Sequence, residues 1–167
     1  KQPLAPVDSA QVAMKSGAKP ALSLTGRALR LLGTREHSRA ELERKLAPHA
    51  EAEGAVAQVL DALQAKGFIN EARVLESVVH RRASKLGASR IKQELQAKGL
   101  EPEAVAEAVQ ALRASELDRA REIWRKKFGQ PPADAAERGK QMRFLASRGF
   151  GGDTIRKVVS GADEEGE

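Results

Sequence analysis

The side chains of this sequence with the charge and reach to do chemistry are its arginines and lysines, and they fall into two groups. The larger comprises Arg119, Arg121, Arg125, Lys126, Lys127, Lys140 and Arg143; the smaller comprises Arg73, Arg81, Arg82, Lys85, Arg90 and Lys92. Cations presented at helical spacing can hold phosphates or carboxylates. Trp124 and Phe128 stand four apart and mark the buried side of one helix. At 100° per residue, Arg119 and Lys126 then point away from that side, with Arg121, Arg125 and Lys127 on its flanks. In the following helix Gln141, Phe144 and Leu145 mark the inner side, and Lys140 and Arg143 fall opposite. A face that simply keeps its charge in water gives the same pattern, so spacing alone does not choose between binding and solvation. Arg90 opens a helix, where the dipole does not favour a cation; it reads either as a contact for a partner or as a pair with Glu94 one turn on. Arg148 lies near a helix C-terminus, where a cation satisfies carbonyls, and reads as structural.

Other chemistries lack their residues. The sequence contains no cysteine, which excludes disulfides, thiolate zinc sites and cysteine nucleophiles. His37, His49 and His80 show no ligand spacing, and no glycine-rich loop ends in Gly-Lys-Ser/Thr. Glu71 and Glu94 read as cap or surface-pair groups. No catalytic set, metal site or cofactor site is expected, so the protein reads as a binding protein rather than an enzyme. Aromatics make up 3% of the chain, too few for sheet modules that stack bases on Phe or Tyr. No run approaches the length of a membrane span, and the first residues lack the apolar stretch of a signal peptide, so a cytoplasmic location is expected.

The formal charge of +6 over 167 residues is unevenly spread. Residues 115–160 carry eleven basic against six acidic residues, a net of +5, while Asp163, Glu164, Glu165 and Glu167 give the end of the chain −4. An excess of this kind on a folded domain suggests an anionic partner, most often nucleic acid.

The elements that must position these cations are helices. Between a Pro- and Gly-containing arm and the acidic tail, the chain is rich in Ala, Leu, Glu, Lys, Arg and Gln, and β-branched residues do not alternate with polar ones. Punctuation places nine helices: Leu24 to Gly33; one from the Ser38–Glu41 capping box to Pro48; Glu53 to Lys66; Asn70 to about Leu86; Ser89 to Lys98; Pro102 to about Ala114; one capped by Ser115 through Phe128; about Ala133 to Arg148; and a short one capped by Asp153. Gly67, Gly87, Gly99 and Gly149 read as stops. Leu46, Leu95 and Leu145 anchor an internal repeat, 49 and 50 residues apart. Ten residues after each stand Val56, Val105 and Ile155; fourteen after, Leu60, Val109 and Val159; seventeen before, Leu29, Val78 and Phe128. A second pattern, Leu-x-x-[Lys/Arg]-Gly-apolar, occurs at residues 63–68, 95–100 and 145–150, but its first copy ends a third helix and the others end second helices. The expected fold is therefore all-α: a tandem array of three three-helix repeats, elongated and curved. The expected divisions are a flexible arm (1–23), repeats at 24–68, 69–114 and 115–160, and an acidic tail (161–167). Tandem units supply no dimer symmetry, and a monomer is expected.

Three segments carry a family resemblance: Gly67-Phe68-Ile69-Asn70-Glu71-Ala72-Arg73; Gly87-Ala88-Ser89-Arg90-Ile91-Lys92-Gln93-Glu94-Leu95 with Lys98-Gly99-Leu100; and Arg143-Phe144-Leu145-Ala146-Ser147-Arg148-Gly149-Phe150. With the early Ala28-Leu29-x-Leu31-Leu32, Ser38, Glu41-Leu42 and Lys45-Leu46, their order and spacing over residues 25–160 resemble the RecX family, bacterial modulators of the RecA recombinase. The family often has Asp where Asn70 stands, and an aromatic and Ala where Val74-Leu75 stand. The resemblance implies a protein that lies in the groove of the RecA filament on single-stranded DNA and limits its growth or promotes its disassembly. RecA's ATP hydrolysis, strand exchange and co-protease action would fall as a result. The outward cations would then meet DNA phosphates or RecA carboxylates. The alternative is a helix-turn-helix transcription regulator reading duplex DNA with the Ser89–Lys98 helix, although that helix offers few side chains suited to base edges.

Overall fold

The computed structural model describes residues 21–161; most of the expected arm, and the tail beyond Gly161, lie outside the described residues. Among the described residues there are nine α-helices and no strand: α1 (Leu24–Leu32), α2 (Arg39–Leu46), α3 (Ala55–Ala65), α4 (Glu71–Arg82), α5 (Ala88–Ala97), α6 (Pro102–Ala114), α7 (Glu116–Lys127), α8 (Ala135–Ser147) and α9 (Gly152–Gly161). A 3₁₀ turn, Ala47–His49, carries the chain past Pro48 after α2.

Local chemistry explains most of the boundaries. Ser38 and Glu41 form the reciprocal capping box, Ser38 Oγ accepting from the Glu41 amide at 3.1 Å and Glu41 Oε1 accepting from the Ser38 amide at 3.2 Å. Asn70 and Asp134 cap α4 and α8 by accepting amides three residues on, at 3.0 and 2.8 Å. Three expectations are corrected. Ser115 stands at the N-cap of α7 but its side chain caps no amide, because its hydroxyl donates back to the Leu112 carbonyl at 3.2 Å. Asp153 lies inside the first turn of α9, where it pairs with Arg156, rather than before the helix. And α4 ends at Arg82 rather than Leu86, since the Lys85 and Leu86 amides both converge on the Arg82 carbonyl and tighten the chain into a turn.

Each trio of helices closes on its own core. Ala28, Leu42, Leu46, Leu60, Leu63 and Ile69 fill the first; Val74, Val78, Ile91, Leu95, Val105 and Val109 lead the second; Ala120, Leu145, Phe150, Ile155, Val158 and Val159 fill the third. The anchors Leu46, Leu95 and Leu145 are fully buried. One repeat column is corrected: Leu29 is 39% exposed, and its neighbour Ala28 is buried instead. In α1, Leu24, Ala28, Leu31 and Leu32 share the face turned to the core, and Leu29 falls one residue, about 100°, off it.

The second helices α2, α5 and α8 connect the repeats end to end. The start of α2 meets the end of α5: Lys98 Nζ donates to Glu41 Oε1 at 3.0 Å, Arg44 reaches the Ala97 carbonyl at 3.3 Å, and Arg73 pairs with Glu36 at 2.9 Å. The start of α5 in turn meets the end of α8: the Gly87 amide donates to the Arg148 carbonyl at 2.8 Å, Arg90 Nη1 to the Ser147 carbonyl at 2.7 Å, and the Ala88 amide to Glu116 Oε1 at 3.0 Å. The backbones approach so closely that a Cβ on Gly87 would lie 2.3 Å from the Gly149 oxygen. Gly149 itself adopts φ +91° with the Arg90 stem against its α-carbon, so both the conformation and the space require glycine. The two in-register copies of the Leu-x-x-[Lys/Arg]-Gly pattern are thus junction surfaces as well as helix stops, whereas Gly67, in the first and out-of-register copy, has open space around it.

Glu41 is the most constrained group at the first junction. Burial opposes its charge, but hydrogen bonds from Arg35, the Ser38 amide and Lys98 outweigh burial and hold its carboxyl at a pKa of about 2. A folded-state value below the ordinary 4.5 means that the contribution is complete above that pH and disappears as pH falls towards 2. The contribution is on the order of 3 kcal/mol. Glu41→Gln is expected to lower stability at neutral pH by about that amount and to flatten the acid limb of urea-unfolding free energy against pH; an unchanged acid limb would contradict this account. Gly87→Ala should cost about 2 kcal/mol by forcing a methyl group into the Gly149 backbone. Gly67→Ala should cost only the left-handed strain, about 1 kcal/mol. Urea titration of the two variants ranks them, and a smaller loss for Gly87→Ala would refute the proposed contact.

Candidate functional site

The two helices that carry the larger basic group are fixed by their polar and aromatic contacts. Gln141, fully buried on α8, accepts from Trp124 Nε1 at 2.8 Å and donates to the Gln130 carbonyl at 3.1 Å. A buried amide and indole satisfied in this way hold α7 in one register on α8. Phe128 meets Phe144 edge to face, with ring centroids 5.4 Å apart. Around the same Phe144 ring stand two cations, Lys127 Nζ at 5.5 Å and the Arg148 guanidinium at 5.0 Å from its centroid.

This frame presents an exposed cationic surface. Arg121, Arg125, Lys126 and Lys127 are exposed on α7, and Lys140 and Arg143 on α8. Arg125 and Lys126 share Glu122 at 3.0 and 3.7 Å, and Arg121 is 3.9 Å from Asp118. Pairs this exposed are worth little and give way readily to a stronger anion. The Arg143 guanidinium folds back beside Gly139, where a Cβ would lie 3.0 Å from its Nη1.

Arg119 corrects the expected outward orientation. Its Nη1 donates to the Ala83 and Leu86 carbonyls at 2.8 and 2.7 Å, and its Nη2 to the Leu112 carbonyl at 2.9 Å. One half-buried guanidinium therefore satisfies the ends of α4 and α6 and ties both to α7. Burial lowers its pKa from the ordinary arginine value, and Glu116 partly offsets that. Trp124 and Phe128 mark only the side of α7 facing α8, whereas Arg119 lies on the side facing the second repeat.

The smaller group is rearranged as well. Arg81 is exposed and donates back to the Ser77 carbonyl at 3.3 Å. Of the two readings of Arg90, the pair with Glu94 does not form: Glu94 pairs with Arg82 at 3.1 Å, and Arg90 spans to α8. Arg82, Arg90 and Arg148 come together with Leu86, Gln93 and Glu94 around a cleft of about 460 Å³ at the second junction. Sequence reasoning assigned Arg148 to its own helix end and missed this meeting. The signal was present in the repeat register, because Arg148 stands three residues after its anchor, as Lys98 does. His37 is buried and its pKa is lowered chiefly by that burial; the neutral ring can donate Nδ1–H to the Arg35 carbonyl at 3.0 Å and accept from Lys45 at Nε2 at 3.3 Å. Among the described residues no group of three or more His, Cys, Asp or Glu side chains is arranged to hold a metal ion, and no helix is long and apolar enough to cross a membrane.

Comparison with known proteins accounts for all three repeats. Sequence models of the first, second and third three-helix domains of RecX match residues 26–63, 70–109 and 114–159. Regulatory protein RecX of Leptothrix cholodnii is 58% identical over 147 residues, covering 88% of this chain and 94% of the relative. The protein of that name from Ralstonia nicotianae is 50% identical over 142 residues, covering 85% and 89%. The crystal structure of RecX from Lactobacillus salivarius superposes with a TM-score of 0.69 at 22% identity, over 84% of this chain and 95% of that one, which shows a shared fold.

Replacing Arg119 by Ala leaves the Ala83 and Leu86 carbonyls without their donor, while the Leu112 carbonyl keeps Ser115, and should cost about 2 kcal/mol. Arg119→Lys should recover little, because an ammonium group cannot span the two helix ends as the guanidinium fork does. Thermal unfolding of both variants tests this, and a loss within the range of an ordinary surface substitution would remove Arg119 from the junction.

Proposed function

The chain belongs to the RecX family of regulatory proteins, and from that premise we propose that it is a negative regulator of the RecA recombinase. In this reading it binds the RecA–single-stranded DNA filament as a monomer in the cytoplasm and limits filament growth or promotes disassembly. RecA's ATPase, strand-exchange and co-protease activities fall as a consequence, and no chemistry by this chain is required. The observation that carries the surface assignment is the rigid cationic face of α7 and α8 in a repeat of net charge +5. Arg121, Arg125, Lys126, Lys127, Lys140 and Arg143 would reach phosphates or carboxylates along the filament, and three repeats in tandem would let one molecule touch several subunits. Arg119 is removed from this set, because its donors are spent within the chain.

The helix-turn-helix reading has less support. A recognition helix touches base edges with its N-terminal residues. At the start of α5, Gly87 and Ala88 are instead buried in the junction, their amides taken by the Arg148 carbonyl and Glu116.

Stoichiometric protein is expected to suppress DNA-dependent ATP hydrolysis by RecA; an unaffected ATPase would end the RecA reading. Replacing Lys126, Lys127, Lys140 and Arg143 together by Glu should weaken that suppression at least tenfold and leave helical circular dichroism intact, since all four side chains are exposed. Full inhibition by the folded quadruple variant would move the binding face elsewhere.

A further inference from the structure

The two junctions are built at equivalent positions but with different charges. Five residues before their anchors stand Glu41 and Arg90, and three residues after the next anchors stand Lys98 and Arg148. At the first junction the pair is Glu41 and Lys98, closed by an ion pair of 3.0 Å with both side chains nearly buried. At the second junction the same two positions hold two guanidinium groups and no carboxylate, and Glu116, also at this junction, accepts from the Ala88 amide. Glu94, the one acid lining the cleft there, pairs with Arg82, leaving three cations against one anion.

Each of these guanidinium groups is held in place by its own chain. Arg90 is gripped through its stem by the Gly149 backbone and through Nη1 by the Ser147 carbonyl. Arg148 lies over the Phe144 ring, and Arg82 is braced by Glu94. Three donors preorganised around an open cleft match an oxyanion with several acceptors, and the planar fork of arginine matches phosphate oxygens two at a time. Three like charges against one carboxylate repel one another, and an oxyanion seated among them relieves that repulsion.

We propose that the cleft between the second and third repeats is a phosphate-binding site, in which Arg82, Arg90 and Arg148 close on one phosphate group. The bound oxyanion supplies the negative charge that Glu41 supplies at the first junction, and it clamps the third repeat onto the second. A backbone phosphate of single-stranded DNA and a free polyphosphate share this chemistry. The site does not depend on recognition of RecA: it acts in the isolated protein, and an ATPase assay can fail while the site stands.

The test is titration of the full chain with inorganic pyrophosphate and, separately, with a short thymidine oligonucleotide, read by NMR at the arginine Nε–Hε resonances. The expected result is saturable movement of the Arg82, Arg90 and Arg148 signals together, with a rise in the thermal midpoint. Saturation by both probes identifies a site for free phosphate groups, and saturation by the oligonucleotide alone identifies a strand backbone. Arg148→Glu rebuilds the first junction's ion pair at the second; it should weaken binding at least tenfold and abolish the ligand-dependent rise in midpoint. Arg148→Gln should weaken binding in the same direction and serves if the glutamate variant does not fold. The proposal is overturned if neither phosphate probe moves the three signals to saturation, if polyglutamate alone does so, or if binding is unchanged in the folded variants.

Discussion

The architecture depends on how three small hydrophobic cores are held in one molecule. A three-helix unit of about 45 residues buries too little apolar surface to be comfortably stable alone. In this chain the cores do not merge into one. The units are joined instead where the end of one second helix meets the start of another, through backbone hydrogen bonds, side-chain caps and ion pairs. Helix ends are where unsatisfied amides and carbonyls collect, so an end-to-end joint satisfies groups that each unit would otherwise leave to water. Arg119 illustrates the economy of this arrangement, since one guanidinium closes carbonyls from two helices of the second repeat while riding on the third.

This dependence explains which parts were legible in the sequence. Each core is written in periodic apolar residues on single helices, so the helix count, the tandem repeat and the buried anchors Leu46, Leu95 and Leu145 could be read directly. Leu29 misled because in an Ala- and Leu-rich helix two adjacent apolar residues compete for one column, and the smaller one faces the core. Capping boxes are local and were readable; Ser115 was not, because its hydroxyl has two possible acceptor and donor directions and only the tertiary position of Arg119, which donates Nε–H to it at 3.1 Å, selects between them.

The candidate site was legible as an inventory and not as an arrangement. The cations of α7 and α8 other than Arg119 could be assigned to faces because Trp124, Phe128 and Phe144 define the inner side of each helix. Arg82, Arg90 and Arg148 come from three helices in two repeats, and nothing within one helical window connects them. The connection lies in the comparison between repeats, where opposite charges at Glu41 and Arg90 occupy one structural position.

That substitution of charge has a mechanical consequence. At the first junction a nearly buried carboxylate accepts from Arg35, the Ser38 amide and Lys98, so separating the repeats breaks a well-shielded ion pair between Glu41 and Lys98. At the second junction the buried bonds run from the Gly87 and Ala88 amides and from Arg119, while the charged cleft beside them stays open and carries excess positive charge. The first joint therefore resists opening through a charge that the chain itself neutralises. The second joins the most basic repeat to the rest beside charges that the chain leaves unbalanced. An anionic partner that binds the third repeat thus meets, at its inner edge, the one joint whose electrostatics that partner can change.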